Sequence, residues 1–265
     1  MTTKAAKIAI LAGIALVGWT VAATAIVVGL KSDGRQQVAA VEDAPSFGEQ
    51  VRAYLLANPE VMVDVQQALQ KKQASAQQAQ ASSVIEKNEA ALYHASSDIS
   101  LGNPDGDVTI VEFFDYNCGY CKRALSDMDK VIRDDSKVRF VLKEFPILGE
   151  DSVAAHKVSD AFRKLAPEKY ADFHRALLGG DGRATEASAI QLAAALGVDE
   201  TAIRKEMTDN PNDASVRQAY QLATDLGVTG TPSYVIGGEA IFGAYGVDVL
   251  EQKIANVRAC GKASC

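Results

Sequence analysis

Two cysteines, Cys118 and Cys121, stand two residues apart in the stretch FFDYNCGYCKRA, residues 113–124. Such a pair can clip a metal, form an inert disulfide, or cycle between dithiol and disulfide. A structural metal site takes four ligands. The chain has three histidines, His94, His156 and His174, none near the motif in sequence, and they read as ordinary helix residues. No metal and no other cofactor is expected. A second pair, Cys260 and Cys265, lies in CGKASC at the C-terminus. It reads as a local structural disulfide closing a small loop. An electron relay to the first pair is the alternative.

The surroundings of the first pair favour redox chemistry. VTIVEFF, residues 108–114, is β-branched and aromatic and predicts a buried strand. The pattern after the cysteines predicts a helix to about Ile132. Cys118 then sits at a helix N-terminus, where unpaired N–H groups and the helix dipole stabilise a thiolate. The thiolate is the reactive form. Cys121 lies one turn on, more buried, placed to resolve a mixed disulfide.

Glu112 falls inside the predicted strand, where charge is rarely buried. It is a candidate proton acceptor for Cys121, with a raised pKa. An outward-facing residue on an edge strand is the alternative. Lys143, in the next predicted strand, is its candidate partner. Gly230-Thr231-Pro232 precedes a further strand. A cis Thr231–Pro232 bond makes a tight turn whose backbone can face the cysteines. A trans bond would merely open an edge strand.

The elements that must hold these residues follow from pattern. Residues 137–145 predict a strand, 151 to about 208 a helical block in four segments (DSVAAHKVSDAFRKL, EKYADFHRALL, TEASAIQLAAALG and DETAIRKEM), and 213–226 a helix. SYVI and EAIF predict two strands around Gly237-Gly238. Residues 247–259 predict a last helix. The layout is α/β with a helical insertion at about 151–212. With 265 residues, 48% hydrophobic, the chain can bury a full core. The net charge is −7 with no basic block, so nucleic acid is not an expected partner.

The N-terminal third is different. Ser46 and Glu49 have capping-box spacing, and Asn58-Pro59 marks a second helix start. Between residues 66 and 82, twelve of seventeen residues are Gln or Ala, which leaves little apolar face to bury. Met62, Val65 and Leu69 form a thin stripe. Such a helix is marginal alone. Residues 46–97 are therefore expected to be a helical stalk that self-associates, preceded by a polar linker over 31–45. Residues 8–30 carry no charge and would span about 34 Å as a helix. With Lys4 and Lys7 before them, they predict an inner-membrane anchor. Ala23-Thr24-Ala25 permits a cleaved signal peptide instead. Both readings export the rest of the chain to the periplasm.

Together, Val111-Glu112-Phe113-Phe114, Cys118-Gly119-Tyr120-Cys121, the helical insertion and Thr231-Pro232 resemble the thioredoxin-fold family, specifically the DsbA-like thiol–disulfide oxidoreductases. The likeness covers roughly residues 98–259, leaving 260–265 as a tail. It implies Cys118 as nucleophile, Cys121 as resolving thiol, Glu112 as buried acid and Pro232 as a cis-proline. Gly119, Tyr120, Thr231 and Pro232 are implied to meet substrate. Gly-Tyr between the cysteines and Thr before the proline resemble the suppressor-of-copper-sensitivity C branch, some members of which oligomerise through a helical stalk and act as isomerases. That implies exported proteins as substrates, a homo-oligomer with a trimer favoured, and a membrane redox partner. The partner would be a DsbB-like oxidant or a DsbD/ScsB-like reductant. The Thr231 hydroxyl is expected beside the cysteine sulfurs. The apolar N-terminus and the second cysteine pair depart from that branch. A copper protein using Cys118 and Cys121, with or without Cys260 and Cys265, or a tethered scaffold with an inactive domain, would use the same residues differently.

Overall fold

The computed structural model describes residues 45–265. The span expected at 8–30 and all but the last residue of the linker lie outside them. Among the described residues no helix is long and apolar enough to cross a membrane. Helix α1, Phe47–Ala57, starts at the expected cap, with the Ser46 Oγ and N–H both donating to the Glu49 carboxylate at 2.8 and 2.7 Å. It belongs to one unit, ending at Leu56. Ala57–Cys265 form the second.

The second unit is built on a five-stranded sheet. Its strands are β1 (Ile99–Gly102), β2 (Val108–Phe114), β3 (Val138–Glu144), β4 (Ser233–Ile236) and β5 (Glu239–Phe242). The order is β1-β3-β2-β4-β5, with β2 and β3 parallel and the other neighbours antiparallel. Both faces of β2 are buried, which is why VTIVEFF reads as a continuous apolar run rather than an alternation. The predicted strands stand within a residue of their expected bounds. β1 was not foreseen. Its four residues are too short to show a period, and pairing with β3 defines them.

Helices cover both faces. Ile110, Phe114, Phe140 and Leu142 pack in one cluster with residues of α4 (Gly119–Asp134) and α10 (Val247–Cys260). Val111, Phe113 and Val235 pack with α9 (Asp213–Leu226) and with Ala81 and Ile85 of α2 (Glu60–Lys87). The helical block from 151 falls into the four segments its sequence marks. It comprises α5 (Glu150–Leu165), a 3-10 turn at Pro167–Lys169, α6 (Tyr170–Gly179), α7 (Glu186–Ala195) and α8 (Glu200–Asp209). Phe162 and Phe173 stack at 4.3 Å to join α5 with α6.

The expected stalk is not separate from this body. α2 is exposed over residues 62–77, then becomes buried at Ala81 and Ile85. Ser82 Oγ donates to the Gly238 carbonyl at 2.9 Å. A short α3 (Glu89–Tyr93) follows, with Leu92 in the core. The body therefore begins some fifteen residues before the expected boundary at 98. Small Ala and scattered apolar residues suffice to dock a helix against a sheet already lined with Phe and Val.

Candidate active site

Cys118 is the N-cap of α4, in extended backbone, and its sulfur accepts the Cys121 N–H at 3.4 Å. The β2 strand delivers the chain to this point, and α4 carries Cys121 beneath it. The Thr231–Pro232 peptide is cis. It presents the Thr231 carbonyl, to which the Cys118 thiol donates at 3.1 Å. Cys118 is 7% exposed, and Cys121 is fully buried. Gly119 and Tyr120 are exposed at the opening of α4, whereas Pro232 is buried at the head of β4.

These surroundings act on the two thiols in opposite directions. Hydrogen bonds from the Cys121 thiol, the Thr231 side chain and the N–H groups of Cys121 and Tyr120 outweigh burial. They hold the Cys118 pKa down to about 5. Burial, the bond to Cys118 and the nearby Glu112 carboxylate raise the Cys121 thiol well above its ordinary value. One sulfur is thus a thiolate at neutral pH and the other a thiol. Glu112 is 3% exposed, and its carboxyl is pushed up to about 8 by burial, with Cys118 and Asp127 adding to the effect. Attack by the first sulfur and release by the second are chemically available here, with a buried carboxyl that accepts the second proton when ionised.

A family profile described as a DSBA-like thioredoxin domain matches residues 109–255, more than half of the chain. The chain belongs to the DsbA-like thioredoxin family of thiol–disulfide oxidoreductases. A second profile, described as the copper resistance protein ScsC N-terminal domain, matches residues 46–76. A thioredoxin-like oxidoreductase from Silicibacter pomeroyi DSS-3 is 37% identical, over 65% of this chain and 99% of that one, with a TM-score of 0.62. ScsC of Proteus mirabilis, in a transitional conformation, is 27% identical, over 78% of this chain and 94% of that one, with a TM-score of 0.55. The chain spans about a quarter of the length of two curated relatives it matches, both Na(+)/H(+) antiporters. One is the Na(+)/H(+) antiporter NhaA 3 of Salinispora tropica, 23% identical over 61% of this chain and 25% of its own length.

Within this DsbA-like domain, the triplet Asp115-Tyr116-Asn117 ties the motif to the insertion. Asp115 accepts from Ser152 Oγ at 2.8 Å and from the Leu148 N–H at 2.9 Å. Asn117 bonds Ser152 and both polar groups of the Ala184 backbone. The Tyr116 hydroxyl meets Ser159, Tyr170 and His174 at 2.9, 2.8 and 3.2 Å, and its N–H donates to His156 Nε2 at 3.4 Å. Sequence distance had separated His156 and His174 from the motif. Folding brings both against it, fully buried, and burial lowers the His174 pKa to about 3. His94 lies away from this cluster, its ring edge to Tyr93. The polar letters D, Y and N directly before Cys118 were the available signal.

One expectation is corrected, and one alternative is set aside. Lys143 does not meet Glu112. It bonds Asp98 and the Ala91 carbonyl. The four sulfurs do not converge either. Cys260 and Cys265 are bonded to each other. Arg258, two residues earlier, pairs with Asp135, the C-cap of α4. α4 has 16 residues, about 24 Å of helix, so Arg258 ties the second pair to the end of α4 away from Cys118. Nor is the tail merely polar. Ala263 is fully buried, and its N–H donates to the Gly237 carbonyl at 3.2 Å. A Cβ on Gly237 would stand 2.6 Å from that nitrogen, which requires glycine there.

Proposed function

We propose that the chain is a periplasmic disulfide isomerase or reductase acting through Cys118 and Cys121 on cysteine-bearing exported proteins. The carrying observation is the inequality of the two thiols: a low-pKa sulfur at the helix cap and a buried, protonated one beneath it. Cys118 attacks a substrate disulfide, Cys121 resolves the mixed disulfide, and Glu112, in the fraction ionised near its pKa of about 8, takes the Cys121 proton. The cis-proline turn at Thr231–Pro232, with Gly119 and Tyr120, holds the client chain.

The stalk supports isomerisation over simple oxidation. Phe47, Val51, Leu56, Met62, Val65 and Leu69 are all exposed on α1 and the free part of α2. A profile for an ScsC N-terminal domain covers the same residues. Self-association, to a trimer, buries them and gathers several dithiols around one misfolded chain. The same low Cys118 pKa also suits a dithiol oxidase, because a stabilised thiolate makes the disulfide form oxidising. The difference lies in the resetting partner, a DsbD/ScsB-like reductant or a DsbB-like oxidant. In this reading residues 8–30 anchor the protein in the inner membrane, or are cleaved to leave it soluble.

The test compares the chain lacking residues 1–30 with a variant further lacking 46–76. Sedimentation reads assembly, and reactivation of a scrambled multi-disulfide protein reads isomerisation. The longer form should be an oligomer and reactivate the substrate. The shorter should be a monomer that reduces simple disulfides but reactivates poorly. A monomeric longer form with full isomerase activity would overturn this reading.

A further inference from the structure

We propose that Arg123 is a specificity-determining residue that selects client cysteines with a carboxylate close by in sequence. The inference rests on the exchange function proposed above and names its substrate class.

α4 carries four cations. Lys122 approaches Asp181 at 3.7 Å and bonds the Gly180 carbonyl. Lys130 pairs with Asp134 and Glu251, and Arg133 with Asp134. Arg123 alone of these has no carboxylate partner among the described residues. It is exposed, and its guanidinium carbon stands 4.1 Å from the centroid of the Tyr120 ring. Tyr120 lies between the two motif cysteines and is 60% exposed. The stack holds a cation on the motif's open side at little entropic cost, since the planar guanidinium is pre-organised on the ring.

Two exposed apolar side chains adjoin segments that meet the motif. Tyr245, 61% exposed, follows Gly243, whose N–H donates to the Pro232 carbonyl at 3.0 Å. Leu148, 42% exposed, is held by Asp115. A client chain that places its cysteine over Cys118 therefore meets, on the Tyr120 ring, a cation that no carboxylate of the described residues satisfies. A neighbouring Asp or Glu satisfies that cation, and a Lys is repelled.

The probes are three short peptides, each a symmetric disulfide dimer, with Glu, Gln or Lys flanking the cysteine on both sides. The Cys118 thiolate attacks one sulfur and releases one peptide thiol. Cys121 then displaces the second peptide, so the enzyme is oxidised and the dimer is reduced to two thiols. The ratio of rate constants within one enzyme cancels any effect of a substitution on the Cys118 thiolate itself. The wild type should prefer Glu over Gln by about two- to fivefold, the scale of an exposed ion pair, and disfavour Lys. High salt should erase the preference. Arg123→Ala should equalise Glu and Gln, and Arg123→Glu should reverse the order. An unchanged Glu-to-Gln ratio in Arg123→Ala, or equal rates in the wild type, overturns the proposal. If none of the dimers reacts, the exchange function is refuted and the selectivity with it.

Discussion

Glu112 and Lys143 stand on opposite faces of the sheet, one step out of register. Glu112 of β2 pairs with Leu142 of β3, and Phe113 pairs with Lys143. The carboxyl consequently faces α4 and the cysteines without a cation to offset its burial. The Lys143 amine, equally buried, uses Asp98 instead.

This arrangement makes stability pH-dependent with a definite sign. The Glu112 carboxyl has a pKa of about 8 in the folded chain, against 4.5 when free. Between those values the folded state holds a proton that the unfolded state releases, so stability falls as pH rises from about 4.5 to about 8. Glu112 contributes a loss of up to about 5 kcal/mol across that window. Glu112→Gln should flatten the decline. Urea unfolding of the oxidised protein is the measurement, because neither thiol then titrates. Losing the Cys118 charge reduces the shift, but burial, the larger cause, remains. An identical slope in the Gln variant would show that the carboxyl ionises freely.

The thiols supply a second prediction. Ultraviolet absorbance of the thiolate should titrate with a midpoint near 5, the pKa of Cys118. It should vanish from this range in Cys118→Ser. Cys121→Ala removes the strongest single hydrogen bond to that sulfur and should move the midpoint upward, and it should also accumulate mixed disulfides with substrates. A wild-type midpoint near the ordinary value of about 8.5 would refute the assigned roles.

A third concerns the far end of α4. Replacing both Cys260 and Cys265 by Ser opens a loop of sequence separation 5. Loop closure of that size stabilises by about 2 kcal/mol, and the variant should melt lower while exchanging disulfides at the wild-type rate. Ala263 should loosen from Gly237, visible as faster amide exchange there. A large fall in turnover with unchanged melting would restore the relay.

Local chemistry made much of this legible in sequence. The Cys118 cap, the apolar run of β2 and the turn at Gly237-Gly238 are written in adjacent residues. The cis bond at Thr231–Pro232 was accessible only beside the cysteine motif, since the tripeptide alone fits either isomer. What stayed hidden depends on distant partners. His156 and His174 join Tyr116 across the insertion, and nothing in their own neighbourhoods signals it. Lys143 was assigned the wrong partner because β1, which carries Asp98 to it, is too short to recognise. Docking of α2 was invisible because Ala81 looks the same on a solvated helix as on a packed one.

That docking has a mechanical consequence. α2 runs for 28 residues without a break from its exposed end to the hydrophobic face of the sheet. Its exposed part, residues 62–77, is about 24 Å long and is clamped at one end only. It is a cantilever rather than a leash. Whatever grips the free end sets the heading of the Cys118 sulfur in space, and a torque applied there is delivered to the catalytic body, because the shaft has no joint in which to dissipate it.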